Sequence, residues 1–258
     1  MKNADAPWTL ADIDFDMATV RELRRDQRIA VVVPAQNEAA TIGGVIDAVT
    51  HHEAFVDDII VVDDHSSDDT ASIALGHGAR VVHLRDGTGK GEALAAGVGA
   101  TDAEIVVFLD GDVLNPGNDY VARMVQPLLE RSEIHLVKAY YDRPLHDMPG
   151  GGGRVNELSA RPILSLLYPG LGEVRQPLAG ETAIRRETLD ALTLDAAYGV
   201  EIALLIDVAR KFGVASLAQV DLGVRRHRNR PLEELRPMAV QVLRAALERF
   251  NVELPTQD

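Results

Sequence analysis

The feature that most constrains this chain is a series of short apolar segments, several ending in polar residues, that alternate with helix-patterned stretches. IAVVVPA (29–35), DIIVVDD (58–64), RVVHL (80–84), EIVVFLDGD (104–112) and IHLVKAYYD (134–142) are rich in valine and isoleucine and read as buried strands. Between the first two, Ile42, Val45, Ile46 and Val49 fall at i, i+3, i+4 and i+7, one apolar stripe of a helix. Ser67, followed by two aspartates, reads as a helix N-cap with acidic first-turn residues. GEALAAGVGA (91–100) and YVARMVQPLLER (120–131) read as two more helices. This alternation predicts an α/β fold, a mostly parallel central sheet with right-handed crossovers and flanking helices. Open sheets of this kind bind ligands at the carboxyl ends of their strands. Gln36-Asn37-Glu38, Asp63-Asp64, Asp110 and Asp112 stand at those ends, so the expected site is one groove along one edge.

Beyond residue 143 the pattern changes. PGGGGR (149–154) reads as a hinge or a backbone-rich loop, and VNELSARPILSLLYP as a helix broken near Pro162. YGVEIALLIDVARKFG (198–213) is an apolar helix ended by Gly213, and SLAQVDL (216–222) a strand. In the last helix, Leu235, Met238, Val242, Leu243, Ala246 and Phe250 share one apolar face, suited to the core or to a partner subunit. The expected division is an extension (1–28) with no readable functional signal, an α/β half (29–143) and a second half (144–258), all in one continuous domain.

Composition narrows the function classes. The 258 residues hold 26 Lys+Arg against 40 Asp+Glu, a formal charge of −14, and no cysteine. Thiol catalysis, disulfides and thiolate metal sites are excluded. An acidic chain is a poor match to nucleic acid or an anionic membrane. No apolar run approaches the roughly 18 residues of a membrane span, and the acidic start MKNADAPWTLADIDFDMATV lacks a signal-peptide core. A cytoplasmic enzyme is expected. Cations nevertheless cluster locally, in RRHRNR (225–230), which is either a solvated loop or an anion site.

Four groups of residues can carry chemistry. Asp110-Gly111-Asp112 closes a strand, and residues i and i+2 of a strand face the same way, roughly 7 Å apart. Two such carboxylates repel unless a cation joins them, and Mg2+ or Mn2+ with phosphate oxygens completing its shell suits them; the alternative is a pair that merely caps a turn. His227, inside the basic cluster, is a candidate second ligand or an ordinary exposed histidine. Lys90 in DGTGKGEAL precedes a helix, so ammonium and backbone N–H groups can cradle a phosphate, although neither a Walker loop nor a dinucleotide G-x-G-x-x-G is present. The glycine run up to Arg154 and Asn156 is a second candidate anion site or a plain linker.

Taken together, VVVPAQNEAATI, IIVVDDHSSDDT, GKGEAL, VVFLDGD, GGGRVNELSARPIL, QPLAGE, YGVEIALLID and QVDLGVRRHRNRPL resemble the glucosyl-3-phosphoglycerate synthases, and the related mannosyl-3-phosphoglycerate synthases of actinobacterial type, over about residues 29–250. The resemblance implies a GT-A (Rossmann-like) fold with a C-terminal acceptor-binding part. It implies a metal-dependent retaining transfer of glucose from UDP-glucose to the 2-hydroxyl of 3-phosphoglycerate. It assigns Pro34, Ala35 and Glu38 to the uridine and ribose pocket, Asp64 and Ser66 to the base, and Lys90 to the donor's phosphates or sugar. Asp110 would contact the ribose or sugar, and Leu178, Ala179, Gly180 and Glu201 would surround the transferred sugar. Asp112 and His227 would hold Mg2+ or Mn2+, with Arg225 near the diphosphate. Gly153, Arg154, Asn156 and Asn229 would face the acceptor, although the family usually has threonine where this chain has Asn156. Asp112, Lys90, Arg225 and Glu201 are thus the expected catalytic set, in a homodimer with no nucleic-acid or membrane partner. Alternatives are another donor (GDP-mannose or GDP-glucose), another small phosphorylated acceptor, a nucleotidyltransferase, a retaining glycosidase using Asp110 and Asp112, or a non-catalytic nucleotide-sugar binder.

Overall fold

Consecutive apolar residues at 29–33 cannot all face one side of a strand, so this segment is stable only with both of its faces covered. That is its position in the computed structural model, which describes residues 7–10, 15–51, 55–85, 87, 89–144, 152–196, 199–226 and 232–252. The strands are β1 (Trp8–Leu10), β2 (Ile29–Ala35), β3 (Asp58–Asp63), β4 (Arg80–His83), β5 (Ile105–Phe108), β6 (Leu136–Asp142), β7 (Thr182–Arg185) and β8 (Leu217–Val224). They form one sheet in the order β1-β8-β6-β7-β5-β2-β3-β4. Only β7 among them runs antiparallel to its neighbours, β5 and β6. The helices are α1 (Met17–Arg24), α2 (Ile42–Thr50), α3 (Thr70–Gly76), α4 (Lys90–Gly99), α5 (Tyr120–Glu130), α6 (Arg161–Leu167), α7 (Arg186–Asp190), α8 (Val200–Phe212) and α9 (Leu232–Arg249). The mostly parallel α/β sheet expected from the alternation is therefore present. Among the described residues no helix is long and apolar enough to cross a membrane.

Each face of the sheet carries its own core. Val31 and Val33 pack with Val45 and Ile46 of α2 and Met124 and Val125 of α5. Val32 points the other way, into a cluster with Leu94 of α4 and Leu205 and Ile206 of α8. The small residues of α4 let it lie close to the sheet: a Cβ built on Gly97 would stand 2.3 Å from Val32 Cγ1.

Several expectations need correction. The strand expected over 104–112 stops at Phe108, and Gly111-Asp112 lie in a turn. Strand alternation is thus not what gives Asp110 and Asp112 a common direction. The extension adds structure that was not expected: Trp8–Leu10 pairs in parallel with β8 and α1 packs on α5. Ser67 does not cap α3: it bonds to Asn37, the N-cap position is Asp69, and the Asp68 carboxylate before it accepts from Thr70 N at 3.0 Å. Pro162 does not end the helix: the helical run continues through it to Leu167, and the irregularity is the π-helical turn over Asn156–Ala160 just before it. β7 escaped the sequence reading. The apolar face of α9 packs inside the chain, burying Val242, Ala245 and Ala246 in the second core. That face is therefore no argument for a dimer.

Candidate active site

β5, β2 and β3 lie side by side and parallel, and their carboxyl ends open on one cavity of about 260 Å³. Pro34, Ala35, Gln36 and Glu38 reach it from β2, Asp64 from β3, and Asp110, Gly111 and Asp112 from the turn after β5. Lys90 enters from the start of α4 and Glu201 from the first turn of α8. Gly153, Arg154 and Asn156 close one side, Leu178 and Ala179 another. Side chains from segments up to 208 residues apart, Pro34 and Val242, line one space.

The two loops on the nucleotide side are laced together. Gln36 Nε2 donates to the Asp64 carbonyl (2.9 Å), Asn37 N to Ser66 Oγ (3.0 Å), Ser67 N to Asn37 Oδ1 (2.8 Å) and Glu38 N to Thr70 Oγ1 (2.8 Å). Asn37 and His65 hold φ of 57° and 56°, the left-handed region that asparagine tolerates better than most residues. Ser66 is spent on this lacing and does not line the cavity, against expectation. Asp64 Oδ2 accepts from Gly89 N at 3.0 Å, which fixes the loop leading into α4. Gly91 is needed there because a Cβ would stand 1.8 Å from the Asp195 carbonyl oxygen.

A compact charge cluster forms the floor. Lys90 Nζ lies 2.6 Å from Asp110 Oδ1 and 2.7 Å from Glu201 Oε1. Burial pushes its pKa down, but the two carboxylates outweigh burial and hold it well above the ordinary lysine value. A permanent cation therefore stands on the cavity wall. Gly180 does not line the cavity; it lies against Asp110, with a built Cβ 2.1 Å from Asp110 Oδ1.

Arg225 departs most from expectation. It is 1% exposed and does not line the cavity. Its guanidinium pairs with Glu181, itself fully buried, at 2.8 Å, and stands over the rings of Tyr120 (4.9 Å) and Tyr141 (5.2 Å). Burial and then Glu181 push the phenol of Tyr141 well above its usual range, so it stays neutral. Arg225 instead anchors a strand end. Its N–H donates to the Asp142 carbonyl (2.9 Å), Asn115 Nδ2 donates to the Val224 carbonyl (2.8 Å), and Leu114 N donates to the Arg226 carbonyl (3.0 Å). These bonds tie residues 224–226 to the loop that follows Asp112. His227 and Asn229 lie outside the described residues.

On the acceptor side, Gly153 takes φ of 69° and Arg154 opens a helical turn. Asn156 is nearly buried. Its Oδ1 accepts from Leu178 N (3.3 Å) and its Nδ2 donates to the Arg175 carbonyl (3.3 Å), stitching this helix to the 175–178 turn. The sequence reading missed Tyr141, Arg143, Gln176 and the α9 residues Leu235, Met238 and Val242, all of which line the cavity. Only the apolar rhythm of α9 could have pointed to any of them.

Metal binding fits the donor set. Among the described residues no cluster of three or more histidines or carboxylates forms a protein cage. Lys90 engages Asp110, and Asp112 stands beside it on the cavity wall. One or two carboxylates with diphosphate oxygens is the usual way to hold Mg2+, and Mn2+ is suited by the same oxygen donors.

Residues 30–152 match the model of glycosyl transferase family 2. Over 260 aligned positions the chain is 45% identical to glucosyl-3-phosphoglycerate synthase of Mycobacterium tuberculosis (strain CDC 1551 / Oshkosh), covering 95% of this chain and 78% of the relative. It superposes on the crystal structure of the M. tuberculosis synthase in complex with Mn2+, UDP-glucose and phosphoglyceric acid, with a TM-score of 0.87, 43% identity and coverage of 96% and 88%. The structure of that synthase with Mg2+ and UDP gives 0.88, 43%, 97% and 88%. With its mostly parallel sheet, its strand-end cavity and these likenesses, the chain belongs to the glucosyl-3-phosphoglycerate synthases, glycosyltransferases of the GT-A fold.

Proposed function

We propose that this chain transfers glucose from UDP-glucose to the 2-hydroxyl of 3-phosphoglycerate, with retention at the anomeric carbon and dependence on Mg2+ or Mn2+. The observation that carries this reading is the single cavity in which Asp110, Asp112 and Lys90 meet Arg154 and Asn156. The division of labour is a donor half at 29–143 and an acceptor half at 144–258. Pro34, Ala35, Glu38 and Asp64 form the walls for the nucleoside. Asp112, with His227, the residue after the anchored Arg226, would hold the metal, which when bound neutralises charge on the diphosphate as a Lewis acid.

The chain's own residues do the rest. Lys90, kept charged by Asp110 and Glu201, stabilises negative charge as the sugar–phosphate bond lengthens, and counts toward rate only as far as that charge grows. Leu178 and Ala179 bound the sugar. Arg154 grips the acceptor's phosphate or carboxylate and Asn229 assists, holding the 2-hydroxyl beside the anomeric carbon. The leaving diphosphate takes the hydroxyl proton in a front-face course. Arg225 anchors residues 224–226, which His227 follows in sequence. The setting we propose is cytoplasmic and the assembly a homodimer, with Leu158 (76% exposed) and Leu166 (81%) as apolar surface available to it.

Asp112→Ala and His227→Ala assayed with UDP-glucose, 3-phosphoglycerate and Mn2+ test the metal assignment. The expected result is loss of nearly all turnover in each. Near wild-type turnover in both would overturn it. A thermal-shift panel of nucleotide sugars checks the donor, with UDP-glucose expected to stabilise more than GDP-mannose or GDP-glucose.

A further inference from the structure

A lysine interrupts the apolar run of β6. Its neighbours Leu136, Val137 and Ala139 are buried core residues, and Lys138 itself is 2% exposed. β6 is covered on both edges, with Lys138 opposite Thr182 of β7 and Gln219 of β8. Burying an ammonium inside a sheet is costly unless its protons are used. They are spent on a loop. Nζ donates to the Ala179 carbonyl in a short hydrogen bond and to Thr182 Oγ1 at 3.0 Å.

We propose that Lys138 is a positioning residue of the sugar subsite: from inside the sheet it holds the Ala179 carbonyl and thereby sets the Leu178–Gly180 segment against Asp110. This rests on the sugar subsite assigned under the proposed function. Three contacts fix that segment in turn. Leu178 N donates to Asn156 Oδ1, Lys138 grips Ala179, and Gly180 abuts the carboxylate of Asp110. A trans peptide points its N–H opposite to its carbonyl, so Lys138 also sets the direction of the Gly180 N–H. Leu178 and Ala179 line the cavity, whereas the nucleoside walls on β2 and β3 have no part in these bonds.

The charged groups facing the ammonium are Glu201 of α8, Lys90 of α4, Glu181 before β7 and Asp110 after β5. Burial dominates over the three carboxylates and lowers the Lys138 pKa to about 8. The protonated form makes the stronger, charge-assisted bond to Ala179, so positioning weakens as pH rises through that value.

Lys138→Met keeps the bulk and removes the donor. Wild-type kcat is expected to fall as pH rises through about 8, and the expected result for the variant is UDP affinity within about threefold of wild type, at least a tenfold fall in kcat with UDP-glucose, and loss of that alkaline limb. Unchanged kcat and pH profile, or an equal fall in UDP affinity, would overturn the proposal. Should Lys138→Met fail to fold, Thr182→Val, which keeps the ammonium, is expected to lower kcat a few-fold with UDP binding intact. Wild-type kcat and pH profile in that variant would overturn it equally. Wild-type protein in the same assay separates the two readings. Absence of transfer there strikes the proposed reaction, while titrations of UDP and UDP-glucose into both proteins still report on Lys138.

Discussion

The two sides of the cavity are built differently. The proposed nucleotide side consists of loops that leave adjacent parallel strands and bond directly to one another, Gln36 to Asp64, Asn37 to Ser66 and Ser67, and Glu38 to Thr70. The proposed sugar and acceptor side is assembled from segments distant in sequence: a glycine-led turn, a π-helical turn, the 175–180 loop and the last helix. Its ties are side-chain bonds whose partners come from separated elements: Asn156 to Leu178 and Arg175, Lys138 to Ala179, Gln176 to the Tyr141 carbonyl, and Gln219 to Arg175 and Glu173. Both sides thus rest on several side-chain-to-backbone bonds. On one side these join two adjacent loops, and on the other they reach across distant segments, so a single substitution should act on its own side. Variation in acceptor handling can then occur without touching the nucleotide walls.

Perturbations can be ranked on that contrast. The largest effect is expected where the sides meet. Lys90→Met leaves Asp110 and Glu201 facing each other without a cation, and kcat should fall by about 10²–10³ in steady-state assays. Gly180→Ala follows. Its Cβ would stand 2.1 Å from Asp110 Oδ1 and must displace it, so kcat should fall by roughly 10² while UDP affinity stays near wild type. Parallel loss of UDP binding would show that the two sides are not separable.

Asn156→Ala cuts the stitch to the 175–178 turn. We expect the KM for 3-phosphoglycerate to rise about tenfold with little change in UDP affinity. Asn37→Ala should do the reverse and more weakly. It removes the two bonds from Ser67 to Asn37 Oδ1 and leaves the other bonds between these loops, so UDP affinity, measured by calorimetry, should weaken roughly three- to tenfold, with the acceptor KM unchanged.

The same contrast explains what the sequence disclosed. Strands β2, β3 and β6 follow from runs that are mostly apolar because both of their faces are largely covered, and the strand-end position of Glu38, Asp64 and Asp110 follows from the parallel topology. Arg225 shows the limit of that reading. A cationic cluster in sequence suggests an anion site, yet the first arginine turns inward to Glu181 and two tyrosines, a choice that depends on residues from 44 to 105 positions away. β7 was illegible because four residues, TAIR, show little periodicity, and its antiparallel pairing is set by β5 and β6. Lys138 reads as a charge in a strand, and nothing local shows that its partner is a carbonyl 41 residues on. α9 was legible as an amphipathic helix, but not as a wall of the cavity, since what covers an apolar face is decided by tertiary packing.

The central claim is that both sides act on one sugar transfer. The most direct measurement follows UDP release and the glycoside formed when UDP-glucose, 3-phosphoglycerate and Mn2+ are incubated with the protein, by coupled assay and anomeric proton NMR. The account predicts equimolar UDP and an α-configured glucosyl-3-phosphoglycerate, abolished by a metal chelator and restored by Mn2+ or Mg2+. A β-configured product, UDP release with no glycoside, or turnover indifferent to the chelator would contradict it.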